Sequence, residues 1–377
     1  MKRLCFFFTL IAVTALACSL SGIPSAATQP LETATSFTVT NEAIATAAST
    51  VSPSAVSSSQ SPFGVMISGD NVARPEIVQL MGQSGAQWVR VNVSLDGQGQ
   101  DYGLFLEAGI NLVLTIRNND PSNMDTTYGT LSEWPNSSFP YKDKAAYQER
   151  VRAVIAPLIA LRANGTQVWV QAENEVGDAA LSPKGKYWRG NTDQYLSQLQ
   201  ALYEAVKSIS PDMPVVLSSF ASEGLDAAID PTDGHHDYSS MHITRLLTEG
   251  QYDAVDLHFY GCVEDIPAKV AWVKANMPTD KLWISTENGG PDPRCATTPH
   301  SWTEDLSRFE EVESQQVAAR LSACAENWGS VCLWFSFFDL KDEDDVFNHL
   351  GLLDQSVLPP RQKPAFSAFQ NFVENYK

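Results

Sequence analysis

Two stretches of this chain end apolar strand patterns in carboxylates. Lys281-Leu-Trp-Ile-Ser-Thr-Glu-Asn-Gly-Gly290 starts as a β-branched, aromatic run and finishes in Glu287, followed at once by chain-turning glycines. Gln167-Val-Trp-Val-Gln-Ala-Glu-Asn-Glu-Val-Gly177 repeats the form, with Glu173 and Glu175 at its end. A carboxylate at the end of a buried strand is costly unless it is paired, hydrogen-bonded or put to use. Two of them point to a carboxylate pair able to attack and to move a proton. Strand alternation assigns Trp283, Ser285 and Glu287 to one face.

The elements that must bring these groups together alternate regularly from Pro62 onward. Strands are expected at Phe63–Ile67, Gln87–Val93, Asn111–Ile116, Gln167–Ala172, Pro214–Ser218, Ala254–Phe259, Leu282–Thr286 and Val331–Phe335. Helices are expected at Pro75–Gln83, Gly103–Ala108, Lys144–Ala163, Thr192–Ser208, Met241–Thr248, Pro267–Asn276, Leu306–Glu326 and Pro364–Glu374. Several strands are continuous apolar runs, as parallel strands covered on both faces should be. The pattern predicts an α/β protein, a single (β/α)8 TIM barrel over residues 62–377. The alternative is a doubly wound open sheet. Against it, the first strand runs into Ser68-Gly69-Asp70-Asn71 without a glycine-rich phosphate loop.

In such a barrel the carboxyl ends of the strands converge on one mouth. Arg90 and Asn92 on the second strand, Glu173 and Glu175 after the fourth, His258 and Tyr260 on the sixth, Glu287 on the seventh and Trp334 on the eighth all fall there. Glu175 and Glu287 are 112 residues apart, so only a closed fold can join them.

With those residues in place, the chain resembles the retaining glycoside hydrolases of clan A, the (β/α)8 group of cellulases, mannanases, β-xylosidases and many β-glucosidases. The matching residues are Asn174-Glu175, His258-Phe-Tyr260, Thr286-Glu287-Asn288-Gly289, Arg90, Trp334 and the closing Leu350-Gly-Leu-Leu-Asp and Lys363-Pro-Ala-Phe segments, over about Pro62 to Tyr376. The resemblance implies Glu175 as general acid/base, Glu287 as nucleophile and Asn174 as the ligand of the sugar 2-hydroxyl. Two carboxyls that close cannot both ionise cheaply, so one keeps a proton and the other is held charged. Arg90 and Tyr260 are the groups expected to hold Glu287 charged, and Trp334 is expected to be an apolar platform under the sugar ring. The Thr115-Ile-Arg-Asn-Asn-Asp120 end of the third strand matches no single family of the clan, and exo or endo action and the sugar stay open.

Other residues have competing readings. Glu173 is either the rival for the acid role or a buried partner of Arg90. Tyr187, Trp188 and Trp302 are candidate subsite aromatics against a core role. The Asp339-Leu-Lys-Asp-Glu-Asp-Asp345 run reads as a solvated loop before a calcium site. His235-His236 lies in a Gly- and Asp-rich loop without further ligands, and Asn119-Asp120 reads equally as sugar site or as turn chemistry.

The chain of 377 residues carries 25 basic and 44 acidic side chains, a formal charge of −19. That repels nucleic acid and polyanions and favours a neutral oligo- or polysaccharide partner. Met1-Lys2-Arg3 and the apolar run Leu4 to Leu16 form an export signal over residues 1–17. Ala15-Leu-Ala-Cys18 offers either an ordinary cleavage site or, preferred here, a lipobox-like site that lipidates Cys18. Residues 18–61, rich in Ser, Thr, Ala and Pro, read as a flexible tether. The product is expected outside the cytoplasm, membrane-anchored or secreted, and working as a monomer.

Of the four remaining cysteines, Cys262 and Cys295 are the preferred bridge, and Cys324 and Cys332 are read as buried thiols. No spacing resembles a zinc site, and no cofactor is implied. The rival function is a non-catalytic carbohydrate-binding surface lipoprotein on the same barrel; both glutamates with their supports weigh against it. A metal-dependent hydrolase lacks the His/Asp clusters such sites need.

Overall fold

Eight parallel strands close in the order of the chain: β1 (Phe63–Ile67), β2 (Trp88–Ser94), β3 (Asn111–Arg117), β4 (Val168–Ala172), β5 (Val215–Phe220), β6 (Ala254–Phe259), β7 (Leu282–Asn288) and β8 (Cys332–Trp334), with β1 pairing β8 to seal the barrel. This computed structural model describes residues 61–69, 72–96, 100–177, 187–295, 302–340 and 346–376, leaving aside the side chains of residues 163 and 164. The signal segment, nearly all of the expected tether with Cys18, and residues 341–345 of the acidic run lie outside them.

The helices packed around the barrel are α1 (Pro75–Ser84), α2 (Gly103–Glu107), α3 (Lys144–Ile159), α4 (Thr192–Ile209), α5 (Ser222–Ile229), α6 (His236–Glu249), α7 (Ile266–Asn276), α8 (Leu306–Glu326) and α9 (Pro364–Asn375). Two departures fall between β5 and β6. The eight-residue α5 was not expected, because Gly224 lowers the helix propensity of so short a segment. Helix α6 starts at His236, five residues before the expected Met241, so the His-His pair opens a helix.

Side chains separate into layers by strand parity. Val89, Val91, Leu112, Leu114, Val168, Val170, Val255 and Leu257 join the core between sheet and helices. Trp88, Val113, Trp169, Val216, Ala254, Ile284, Val331 and Leu333 fill the barrel from within. The two tryptophans meet edge to face at 5.8 Å. Gly64 on β1 makes room for them, since a Cβ there would overlap the Trp88 carbonyl. Above this apolar plug the inward positions turn polar: Arg90, Thr115, Gln171, Asp256 and Thr286 are all fully buried.

The expected face of β7 needs correction. Trp283 belongs to the outer core, with its ring 6.1 Å from Phe259, and Ile284 points inward. Strict alternation would turn Glu287 outward with Trp283. Asp256 pairs with Ile284 and His258 with Glu287, while Ser285 pairs with Cys332 and Asn288 with Trp334. On both sides β7 therefore carries one extra residue, and a bulge of one residue moves the next side chain to the opposite face. The bulge delivers Glu287 to the mouth.

Cys262 and Cys295 are bridged as expected, tying the loops after β6 and β7. Cys324 and Cys332 form a second bridge, not buried thiols, because the turn after α8 returns the chain directly into β8. Among the described residues, no helix is long and apolar enough to cross a membrane.

Candidate active site

The turn after β4 is left-handed at two non-glycine residues, Glu173 (φ 65°) and Glu175 (φ 45°). Such backbone costs on the order of 1–2 kcal/mol per residue and persists only where its surroundings enforce it. Here the Glu173 N–H donates to Ile116 O at 3.0 Å. The Glu175 and Val176 N–H groups donate to Ser219 Oγ at 2.9 Å and Ser218 Oγ at 3.2 Å. Both serines are available because the β5 register slips by one residue between Leu217 and Ser219. From behind, the Tyr195 hydroxyl on α4 donates to Ala172 O at 3.0 Å.

The turn sends its two glutamates in different directions. Glu173 is fully buried, accepting from Asn118 N at 3.0 Å and from Gln198 on α4. Burial raises its pKa to about 7 against the pull of those donors and of Arg117. It shares no hydrogen bond with Arg90, whose partners are Thr115, Asn174 and Glu287, and its own donors lie on the β3 loop and α4. Glu175 reaches the opening, where its Oε1 accepts from His258 Nδ1 at 2.8 Å.

Glu287 meets a ring of donors. Arg90 Nη1 binds its Oε1, the Tyr260 hydroxyl donates to its Oε2 at 2.6 Å, and His258 Nδ1 lies 3.4 Å from the same oxygen. Arg90 is itself fixed by donating through Nε to Thr115 Oγ1 at 2.7 Å and through Nη2 to Asn174 Oδ1 at 2.6 Å. Asn174 thus spends its carbonyl on Arg90 and on the Ser219 hydroxyl, which donates to it at 3.3 Å. Desolvation and the Glu287 charge push the Tyr260 phenol well above its ordinary pKa, so it stays a donor.

His258 joins the two carboxylates. Its Nε2 faces Thr286 Oγ1 at 3.2 Å and Asp256 Oδ2 at 3.3 Å. Burial opposes charge on this ring, but Glu287, Asp256 and Glu175 outweigh it and raise the pKa to about 10. Asp256 is anchored in turn by Gln171 Nε2 at 2.6 Å and by the Thr286 N–H at 2.9 Å. Glu175, His258 and Glu287 bring one polar atom each within 4.8 Å of one another. With Asp256 and Arg90 the cluster holds three carboxyl groups beside an imidazole and a guanidinium, an arrangement suited to proton transfer.

Arg90, Asn174, Glu175, His258, Tyr260 and Glu287 therefore come together, and Trp334 does not. Trp334 is fully buried on the outward face of β8, donating its indole N–H to Leu350 O at 3.0 Å. The next residue takes the inward parity of Val331 and Leu333. Phe335 packs edge to face on Tyr260 at 5.8 Å, within a cluster containing Met66, Phe309 and Leu350 and flanked by Trp302 and Phe347. Trp302 stacks on His349 at 4.4 Å. Trp188 is core, edge to face with Tyr195 at 5.6 Å, whereas Tyr187 lies within electrostatic range of Tyr260.

The remaining ambiguous groups resolve to local structure. Asn119 ties Leu95 N and Ser94, and Asp120 pairs with Arg150 at 2.8 Å. His235 bonds Asp233, and His236 lies against Ala227 O. Asp339 holds Lys363 Nζ at 3.0 Å and Gly351 N at 2.8 Å. Asp256, Thr115, Gln171, Ser219 and Phe335 were missed as site residues. Asp256 had the clearest signal, a carboxylate at the inward parity of β6 two residues before His258.

No protein-family model and no curated protein matches the chain. Solved structures do. GH5_18 from Streptomyces cattleya in complex with GlcNAc matches with a TM-score of 0.56 at 17% identity, over 83% of this chain and 79% of that one. The Ignisphaera aggregans GH53 catalytic domain matches with a TM-score of 0.50 at 18% identity, over 82% and 91%. An FMN-binding β-glucuronidase from Facaelibacterium prausnitzii L2-6 matches with a TM-score of 0.50 at 15% identity, over 83% of this chain but only 44% of its own. At these identities the likeness establishes architecture: the chain folds as the (β/α)8 barrel found in these glycoside hydrolase structures.

Proposed function

We propose that this protein is a retaining β-glycoside hydrolase of the clan A type, acting on a neutral β-linked oligo- or polysaccharide. The observation that carries the reading is the approach of Glu175 and Glu287, whose nearest oxygens lie within 4.8 Å across His258. Retaining enzymes hold their carboxyl groups about 5–5.5 Å apart, whereas inverting ones need about 6.5–9.5 Å to admit a water.

Glu287, held as the anion by Arg90 and Tyr260, attacks the anomeric carbon. Glu175 gives its proton to the departing glycosidic oxygen. Because Glu175 Oε1 accepts from His258, the transferable proton sits on Oε2. Forming the glycosyl ester removes the charge of Glu287, which makes Glu175 a better base toward the incoming water. That water's oxygen ends on the sugar, its proton on Glu175, and Glu287 leaves as carboxylate. Asn174 donates to the 2-hydroxyl, and Phe335 supplies the apolar surface first expected of Trp334.

The charge of −19 supports a neutral substrate, and the basic-apolar first 17 residues support export, with a lipid on Cys18 and a tether over 18–61 holding the barrel off a membrane. The test is to incubate residues 62–377 with a panel of β-glucosides, β-mannosides, β-xylosides and β-glucuronides and follow the anomer by NMR. First release of the β-anomer supports the reading; first release of the α-anomer, or no hydrolysis across the panel, overturns it.

A further inference from the structure

Arg320 on α8 is 1% exposed, yet every acceptor it contacts is neutral. Its Nη1 donates to Phe259 O at 3.2 Å, its Nη2 to Gly261 O at 2.6 Å and its Nε to Gln316 Oε1 at 3.2 Å. A buried guanidinium normally sits against a carboxylate, because desolvating its charge is expensive. Burial lowers its pKa to about 10, against the charges of Asp292, Tyr260 and Glu264 and with that of Arg294. Stability alone is a poor reason to place this cation here.

The two carbonyls are those on either side of Tyr260. Gly261, left-handed at φ 80°, is gripped from its other side as well, its N–H donating to Asp292 Oδ2 at 2.8 Å. The guanidinium also fills the space beside Gly290, just past Glu287, where a Cβ would lie 2.5 Å from Nη2. Beyond it lies a cavity of about 280 Å³, lined by Gln316, Ala319 and the Cys262–Cys295 bridge. Ser222 Oγ holds the Tyr260 N–H and carbonyl themselves, both at 2.9 Å, and Arg320 holds the carbonyl on either side, so the two together fix the backbone from which the Tyr260 hydroxyl reaches Glu287.

We infer that Arg320 is a positioning residue for the proposed glycosidase, acting from outside the barrel by clamping the carbonyls of Phe259 and Gly261 so that the Tyr260 hydroxyl stays on Glu287. This rests on the glycosidase reading. Arg320 bonds neither Glu175 nor Glu287, so its effect is carried by the backbone on either side of Tyr260.

The experiment compares wild type, Arg320→Met, Arg320→Lys, Tyr260→Phe and the Tyr260→Phe/Arg320→Met pair, reading kcat, KM, the pH profile of kcat/KM and thermal unfolding. Arg320→Met is expected to lower kcat about 30-fold with KM within about threefold, and to move the acid limb upward, as loss of a donor from the nucleophile should. Arg320→Lys, which reaches one carbonyl, should recover part of both effects even if Arg320→Met folds poorly. In the Tyr260→Phe background the Arg320 change should cost less than about threefold more. Full additivity of the two losses, or loss of activity that follows unfolding with an unmoved pH profile, overturns the inference. A wild type that neither releases an aryl leaving group nor is labelled on Glu287 by a 2-deoxy-2-fluoro-β-glycosyl fluoride overturns the glycosidase reading itself, and the role of Arg320 with it.

Discussion

The Tyr260 hydroxyl donates a 2.6 Å hydrogen bond to Glu287 Oε2 from just past the end of the neighbouring β6, two residues beyond His258. A charged hydrogen bond of this kind contributes about 1.5–3 kcal/mol. Tyr260→Phe is expected to lower kcat/KM about 10- to 100-fold and to shift the acid limb of the pH profile upward. Its fold should be intact, since Phe335 and Phe347 already pack on the ring. An unmoved acid limb would separate Tyr260 from the ionisation of Glu287.

Glu287→Gln should abolish release of the leaving group from an aryl β-glycoside with the circular dichroism spectrum unchanged. Glu175→Ala should slow poor leaving groups far more than activated aryl ones, and azide should restore turnover as a β-glycosyl azide. Equal losses for both substrate types without rescue would remove Glu175 from the acid role.

The barrel should lose stability as pH rises, for reasons visible in two buried groups. The His258 pKa is raised from 6.5 to about 10, so its contribution is fully present below 6.5 and lost as pH climbs through 10. Glu173 is raised from 4.5 to about 7, so the folded state favours its neutral form and stability falls across that interval. In both windows the native state binds more protons than the unfolded chain, and urea midpoints should decline from pH 5 toward pH 10. Glu173→Gln should flatten the lower window and His258→Gln the upper one. A midpoint that rises over this range would contradict the electrostatics.

Neighbouring aromatics at the end of β8 should differ in their effect on catalysis. Phe335→Ala should raise KM and lower kcat because its ring lies beside Tyr260, and it should also cost about 3–5 kcal/mol by urea unfolding, since the ring is buried among Met66, Phe309 and Leu350. Trp334→Phe should leave KM unchanged and cost about 1–3 kcal/mol by urea unfolding, from the lost bond to Leu350 O and the space left in a close-packed core. The reverse pattern would restore Trp334 as the platform.

Gly64→Ala should destabilise the barrel by about 1–3 kcal/mol or more, through overlap with the rigid backbone of Trp88. An unfolding midpoint equal to wild type would mean that β1 and β2 can part without cost.

Much of this was legible in the chain. The continuous apolar strands, their alternation with helices and the recurrence of polar residues at strand ends determined a closed parallel barrel and nominated Arg90, Asn174, Glu175, His258, Tyr260 and Glu287. Those signals are local or periodic, and a linear text preserves them. What failed was the helix α5, the Cys324–Cys332 bridge and the face of the last strand, each set by contacts with other parts of the fold. Trp334 and Phe335 are adjacent letters, and only the pairing of β8 with its neighbours decides which faces the mouth.

The sequence by itself determined the architecture and the chemical identity of the site, because hydrophobic periodicity and residue type are properties of the strand alone. Only the tertiary structure decided that Glu287 faces its partner: by alternation it belongs with Trp283 on the outer face, and a bulge defined by both flanking strands turns it inward. It also decided that Asp256 and Arg320 bear on the site. Such contacts join residues far apart along the chain, and their geometry exists only once the barrel has closed.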